Sequence, residues 1–270
     1  MIVDTHCHLN DEIFDVDRDE IIKHFEDENI QSAFVVGTNL ETCKSAIDLA
    51  EKYENIYAIV GMYPEYAEEY DDDFERYIES ILSSPKIVAV GEIGLDFHTE
   101  GYNQQLQEEV FAKQIKLAHK FGLPLSIHTR EAFDRTLAVL KNNKEYLHGG
   151  VIHCFSGSPE VAREFIKLGF KLGFGGVCTF KNAKKVVDTL KIVDVKDILL
   201  ETDAPYLAPT PFRGERNEPK YTNLVLDKIA EVRCQNKKDL ERQILDNTLK
   251  TFGRCKLWYF KLSFWPISIS

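Results

Sequence analysis

An α/β fold, specifically a TIM (β/α)8 barrel, is what this chain predicts, and three observations predict it. Eight short apolar runs alternate with longer amphipathic segments along the 270 residues. Several runs are continuously apolar rather than alternating, as parallel strands covered on both faces must be. Histidines and carboxylates recur just after the runs, where the active face of such a barrel lies.

The elements follow in order. The first run, 2–5 (IVDT), is followed by a helical segment at 18–28; the second, 32–36 (SAFVV), by 41–53; and the third, 56–60 (IYAIV), by 72–82. The fourth, 87–90 (IVAV), precedes the clearest helix, 104–121, where Leu106, Val110, Phe111, Gln114, Leu117 and Ala118 recur at helical spacing. Runs at 123–127, 150–153 and 170–174 lead into helices at 130–142, 158–168 and 182–190. The eighth run, 197–200, opens into a loop at 203–220 whose prolines and mixed charges suit neither helix nor strand. Helices at 221–236 and 238–252 close the fold, with a stop at Gly253. A doubly wound open sheet lacks support, because no glycine-rich dinucleotide loop follows the first run.

With 44% apolar and 29% charged residues the chain has the composition of a folded globular protein. No Pro/Gly/Ser linker divides it, so residues 1–256 read as one barrel and 257–270 (LWYFKLSFWPISIS) as an aromatic-rich tail. The tail is expected to pack across the barrel bottom or on a neighbouring subunit; a monomer is the default, with a homo-oligomer formed through the tail as the variant. Asp4, His6 and His8 interrupt any signal-peptide pattern, and no run reaches the roughly 18 apolar residues of a membrane span. The expectation is a cytoplasmic protein without a membrane partner. Six dispersed cysteines read as reduced thiols, with Cys7 and Cys154 pointing away from the neighbouring histidines if strand alternation holds. A net charge of −11 argues against a protein that coats nucleic acid with a broad basic face. It leaves room for a phosphate ester, because divalent cations reverse the potential of a small acidic cleft.

The chemistry-bearing residues sit at the run ends. DTHCH, residues 4–8, places His6 and His8 on one side of a strand. GEIGLDF, residues 91–97, presents Glu92, with Asp96 as a competing carboxylate. His128 comes from SIHTR, His153 from VIHCFSG, and Glu201 and Asp203 from LETDAP. Imidazole and carboxylate after five separate runs point to two divalent metal ions. His6, His8, Glu92 and Asp203 would serve one, and Glu92, His128 and His153 the other, with Glu92 bridging. Mixed N/O donors suit Mg, Mn or Zn alike. The reaction expected is metal-assisted hydrolysis, with Asp203 orienting or deprotonating the attacking water, Glu92 holding both metals, and Glu201 steering a ligand histidine. Arg130, Arg213 and Arg216 are candidate phosphate contacts, and Phe97, Tyr206 and Phe212 candidate stacking groups. Ser156 lacks a nucleophile elbow, and 173–176 (GFGG) lacks the GK[ST] of a P-loop.

The blocks DTHCH, GEIGLDF, IHTREA, IHCFSG and ETDAPYL resemble the signature segments of the TatD-related deoxyribonucleases, among the amidohydrolase-like metal-dependent hydrolases. The resemblance runs in order over about 1–253. It implies a barrel nuclease that hydrolyses DNA phosphodiester bonds, often as a 3′-to-5′ exonuclease, acting on single strands or 3′ ends. By similarity the metal ligands fall on His6, His8, Glu92, His128, His153 and Asp203. One departure stands out: where such enzymes show G-x-H-P after the third strand, this chain has Gly61-Met62-Tyr63-Pro64. Tyr63 can donate a hydrogen bond or stack on a base but cannot ligate or shuttle protons as imidazole does. The alternatives are a hydrolase of a small ester, lactone or cyclic amide using the same cluster, and a catalytically weak nucleic-acid-binding or scaffold protein.

Overall fold

The computed structural model describes residues 1–256. Eight parallel strands run in sequence order: β1 Ile2–Cys7, β2 Ile30–Val36, β3 Ile56–Val60, β4 Ile87–Asp96, β5 Leu125–Arg130, β6 Gly150–Ile152, β7 Phe170–Phe174 and β8 Ile198–Leu200. Each pairs with the next, and the circle nears closure where Thr5 Oγ1 donates to the Leu200 carbonyl at 2.8 Å. Just beyond the strands, Asp203 N donates to His6 O at 2.9 Å and His8 N to Ala204 O at 2.7 Å. The architecture is the expected TIM barrel.

Helices α1 Arg18–Lys23, α2 Leu40–Lys52, α3 Asp72–Ile81, α4 Gln104–Lys120, α5 Phe133–Asn142, α6 Pro159–Lys167, α7 Lys184–Ile192, α8 Thr222–Arg233 and α9 Lys237–Thr251 surround the strands. Their apolar stripes form the larger core against the outside of the sheet, and the Leu106–Ala118 pattern buries Val110, Phe111, Gln114 and Leu117 as its spacing requires. A second cluster fills the barrel interior with Val3, Phe34, Ile59, Val88, Val151 and Leu199 among its members, and Phe252 plugs it from below.

The elements differ from expectation where function intrudes. Helix α1 stops at Lys23 instead of reaching 28, and α5 starts at Phe133 because Arg130 still belongs to β5. Strand β4 continues to Asp96, well past the apolar run, and carries GEIGLD as fully buried strand. Glycine makes this possible: Gly94 has φ +136°, and a Cβ there would lie 2.0 Å from the His128 carbonyl oxygen. The aromatic tail, 257–270, lies outside the described residues. Among the described residues no helix is long and apolar enough to cross a membrane.

Candidate metal centre

Every expected ligand is delivered by a strand end or by the first residues beyond one. His6 lies inside β1 and is fully buried, while His8 stands just past it. Glu92 and His128 come from neighbouring β4 and β5, His153 follows β6 by one residue, and Asp203 follows β8 by three. Asp203 takes a left-handed backbone, φ 61°, a conformation costly for a non-glycine residue and held here by its neighbours.

The donor atoms converge. His6 Nε2 lies 3.5 Å from Glu92 Oε2 and 3.8 Å from Asp203 Oδ1. His8 Nε2 is 3.5 Å from Asp203 Oδ1 and 4.0 Å from Glu92 Oε2. His153 Nε2 is 3.5 Å from Asp203 Oδ1 and 3.9 Å from Glu92 Oε1. Two donors each about 2.1 Å from a shared cation stand roughly 3.0–4.2 Å apart for angles from right to straight. The spacings fall in that range. They are long for hydrogen bonds, and His6 Nε2 is buried with no hydrogen-bond partner among the described residues. Such an orphaned atom is what a cation ligand looks like without its cation. Two triads meet the requirement at once, His6–His8–Asp203 and His6–Glu92–His153, sharing His6. The residues fit divalent cations.

His128 stands to one side. Its Nδ1 is 2.9 Å from Glu92 Oε1 and its Nε2 is 2.9 Å from Asp96 Oδ2, so it joins the group through Glu92. The Tyr63 hydroxyl donates to the same Asp96 oxygen at 3.0 Å and lies 3.3 Å from His128 Nε2. Asp96 is thus a common acceptor for Tyr63 and His128, and its other oxygen accepts His98 N–H.

Charge and burial set the protonation states of the metal-free centre. Burial opposes ionisation of Glu92, yet the charge of His6 and the hydrogen bond with His128 hold its carboxyl well below the usual range. Asp203 is likewise held low against burial by His153 and His8, and Asp96 falls to about 2 through His128. Burial works against His153 as a cation, but Glu201, Asp203 and Glu92 raise it to about 10. His8 and His128 are raised by their carboxylates against burial, whereas burial and the charge of His153 lower His6. The site binds positive charge, as protons or as metal.

Support comes from behind. Glu201 is fully buried, accepts the Cys154 backbone N–H at 2.5 Å and lies 3.2 Å from His153 Nδ1. Gly173 makes room for it, since a Cβ there would meet Glu201 Oε2 at 2.1 Å, which explains a glycine at this position in the 173–176 stretch.

A cleft of about 640 Å³ opens over the centre, bordered by Tyr63, Arg130, Cys154, Tyr206 and Leu207. Arg130 has no ion pair among the described residues; Glu131 pairs with His98 instead. Tyr206 is exposed, its ring edge-on to His8 at 6.1 Å. Arg213 lies over the Phe180 ring at 4.4 Å, outside the cleft lining. Arg216 is engaged within the protein, donating to Asp17 at 2.9 and 2.6 Å and to Glu218 at 3.1 Å. Phe212 stacks on Tyr221 at 4.7 Å, and Phe97 packs on the core. One expectation is corrected: Cys154 borders the cleft rather than facing away from it. Strand β6 ends at Ile152, so alternation no longer applies, and Cys154 turns into a left-handed conformation with φ 46°.

Sequence reasoning missed Asp4, which is buried and accepts hydrogen bonds from His6 N at 3.2 Å and Thr202 N at 2.9 Å. Burial pushes its carboxyl up to about 8. A signal existed, because Asp4 shares strand parity with His6 and His8. Ser126, 3.4 Å from His6 Nδ1, gave none.

The sequence pattern of the TatD related DNase family matches residues 3–253. YabD of Bacillus subtilis, described as an uncharacterised metal-dependent hydrolase, is 40% identical over 252 residues, 93% of this chain and 99% of its own. The 3′-5′ ssDNA/RNA exonuclease TatD of Klebsiella pneumoniae is 32% identical over 255 residues, 93% of this chain and 97% of its own. The crystal structure of the Escherichia coli TatD homologue YjjV superposes with a TM-score of 0.88 at 31% identity, covering 93% of this chain and 98% of that one.

Proposed function

The chain belongs to the TatD-related DNase family of metal-dependent hydrolases, and from that premise we propose that it hydrolyses DNA phosphodiester bonds, removing nucleotides from the 3′ ends of single strands. The observation that carries the reading is the convergence of His6, His8, Glu92, His153 and Asp203 donor atoms at 3.5–4.0 Å with His6 Nε2 left unpartnered. In this reading His6, His8, Glu92 and Asp203 would hold one divalent cation, and Glu92, His128 and His153 would hold a second. Bound divalent cations supply an activated water and neutralise charge developing at phosphorus.

The protein's own groups do the rest. Asp203 stays ionised at neutral pH, so it orients the attacking water and accepts its proton. Glu92 ties the two halves of the centre together. Glu201 fixes the His153 ring from behind. Arg130, at the cleft border without an acidic partner among the described residues, meets a phosphate with its forked donors. Tyr63 and Tyr206 offer faces and hydroxyls to a terminal base and sugar, and Arg213 meets the outgoing strand. Arg216 anchors the loop that carries Arg213. A cleft of about 640 Å³ suits a chain end better than an uninterrupted duplex. The activity in the name of the Klebsiella relative agrees with this assignment.

The test strips the protein of metal and restores Mg²⁺, Mn²⁺ or Zn²⁺ separately, using single strands labelled at the 5′ end. A descending ladder of 5′-labelled products that requires added metal is expected. Intact DNA under all three cations, together with turnover of a small ester or lactone, would replace the nuclease reading with the small-substrate one.

A further inference from the structure

We infer that the back of the His153 ring forms a separate, thiophilic cation site made by His153, Cys154 and Glu201, and that a soft divalent cation bound there inhibits hydrolysis. A nitrogen of His153, the Cys154 sulfur and a carboxylate oxygen of Glu201 lie within 4.8 Å of one another. That is the reach of three ligands around one ion. Two of the polar atoms in this corner are buried and unpartnered among the described residues: His153 Nδ1 and Glu201 Oε2. His153 Nδ1 lies 3.2 Å from Glu201 Oε1, a contact that a cation held between the two would replace. Native interiors rarely leave such atoms unsatisfied.

Access, charge and ligand type favour a cation. Cys154 borders the cleft, so an ion reaches the corner from the mouth. Glu201, Asp203 and Glu92 surround the thiol with negative charge, which attracts a divalent cation. A thiolate beside an imidazole selects soft or borderline metals such as Cd²⁺ or Zn²⁺ over Mg²⁺ and Mn²⁺. Binding forms a metal–sulfur bond and releases the thiol proton to solvent; no oxidant or reductant takes part.

Inhibition follows from the shared ring. His153 Nε2 faces Asp203 and Glu92 at the front, and Nδ1 faces Glu201 at the back. A neutral imidazole has one lone pair for a metal. Ligation at Nδ1 therefore moves the ring proton to Nε2 and removes a donor from the front. The two sites oppose each other through one side chain.

Cadmium chloride titrated into the full-length protein tests this by absorption. Wild type should develop a sulfur-to-cadmium charge-transfer band in the ultraviolet. In a Cys234→Ser background, which removes the exposed thiol, Cys154→Ser keeps the backbone N–H on Glu201 and should lose the band. It should also need at least about tenfold more cadmium for half-inhibition of the Mn²⁺-loaded protein, as expected when a soft ligand is replaced by a hard one. Cadmium bound by wild type without the band, a band that survives Cys154→Ser, or equal inhibition of both proteins would overturn the assignment. The optical measurement needs no substrate, so its outcome is independent of whether DNA is cleaved.

Discussion

The two ends of the barrel interior are built to opposite rules. Below, apolar side chains of β1–β4, β6 and β8 interlock and Phe252 closes the floor. Polar groups there are largely paired, with Thr251 Oγ1 the exception among the described residues: Asn247 Nδ2 donates to the Val195 and Ile198 carbonyls at 2.7 and 3.0 Å, and Arg254 donates to those of Leu82, Ser84 and Ile87. Above, the same strands present His6, Glu92, Asp96, His153 and Glu201, buried and ionisable. Left-handed non-glycine residues gather in the loops of this face at Glu131, Cys154, Asp203 and Leu207, and unpartnered buried atoms lie on His6, His153 and Glu201. Stability resides at the floor, and the mouth gives up local satisfaction for a preorganised charge cluster.

Substitutions separate the two ends. Asp203→Ala should lower turnover by roughly 10³-fold or more, the order expected when several kcal/mol of metal-linked stabilisation is lost, while the melting temperature of the metal-free protein shifts little. Phe252→Ala should do the reverse, costing about 3–5 kcal/mol in denaturant unfolding with turnover per folded molecule preserved. If Phe252→Ala abolished activity in protein shown to be folded, the division would fail.

Glu201→Gln should weaken metal binding by about 10–100-fold, as removal of a carboxylate behind a ligand histidine does, read by calorimetric titration. Unchanged affinity would remove Glu201 from its supporting role. Tyr63→Phe should have the smallest effect, about 0.5–1.5 kcal/mol for one hydrogen bond to Asp96, seen as a modest change in KM or stability. A loss as large as that of Asp203→Ala would place Tyr63 in the chemical step.

Acidity sharpens the same contrast. In the metal-free protein the pKa of His153 is raised from 6.5 to about 10, so its stabilising contribution is complete below about 6.5 and is lost as pH rises through about 10. Metal must displace that proton. Loading near pH 7.5 should therefore release protons, measured by calorimetry in buffers of different ionisation heat, and stability of the loaded protein should rise over the interval in which the metal-free protein weakens. Proton uptake on loading would contradict these charge states.

The floor was the more legible half of the sequence. Continuous apolar runs and helical spacing such as Leu106 to Ala118 report burial directly, because period and hydrophobicity are local properties. The ligands were also readable, since DTHCH and ETDAP place imidazole and carboxylate at strand ends. What escaped depends on pairing across the barrel. The extension of β4 to Asp96 is stabilised by β5, with Leu95 opposite Thr129 and Asp96 opposite Arg130. The link from Tyr63 through Asp96 to His128 joins three strand ends that no window of sequence contains. Cys154 escaped because β6 is only three residues long, and alternation fails once the strand stops.

In the proposed centre, donors from β1, β4 and the loops after β6 and β8 surround divalent cations. Anomalous diffraction from a manganese-soaked crystal tests it most directly. Manganese is expected between His6, His8, Glu92 and Asp203, with a second ion across Glu92 toward His128 and His153. Manganese bound elsewhere, with the imidazoles and carboxylates still paired only to one another, would contradict it.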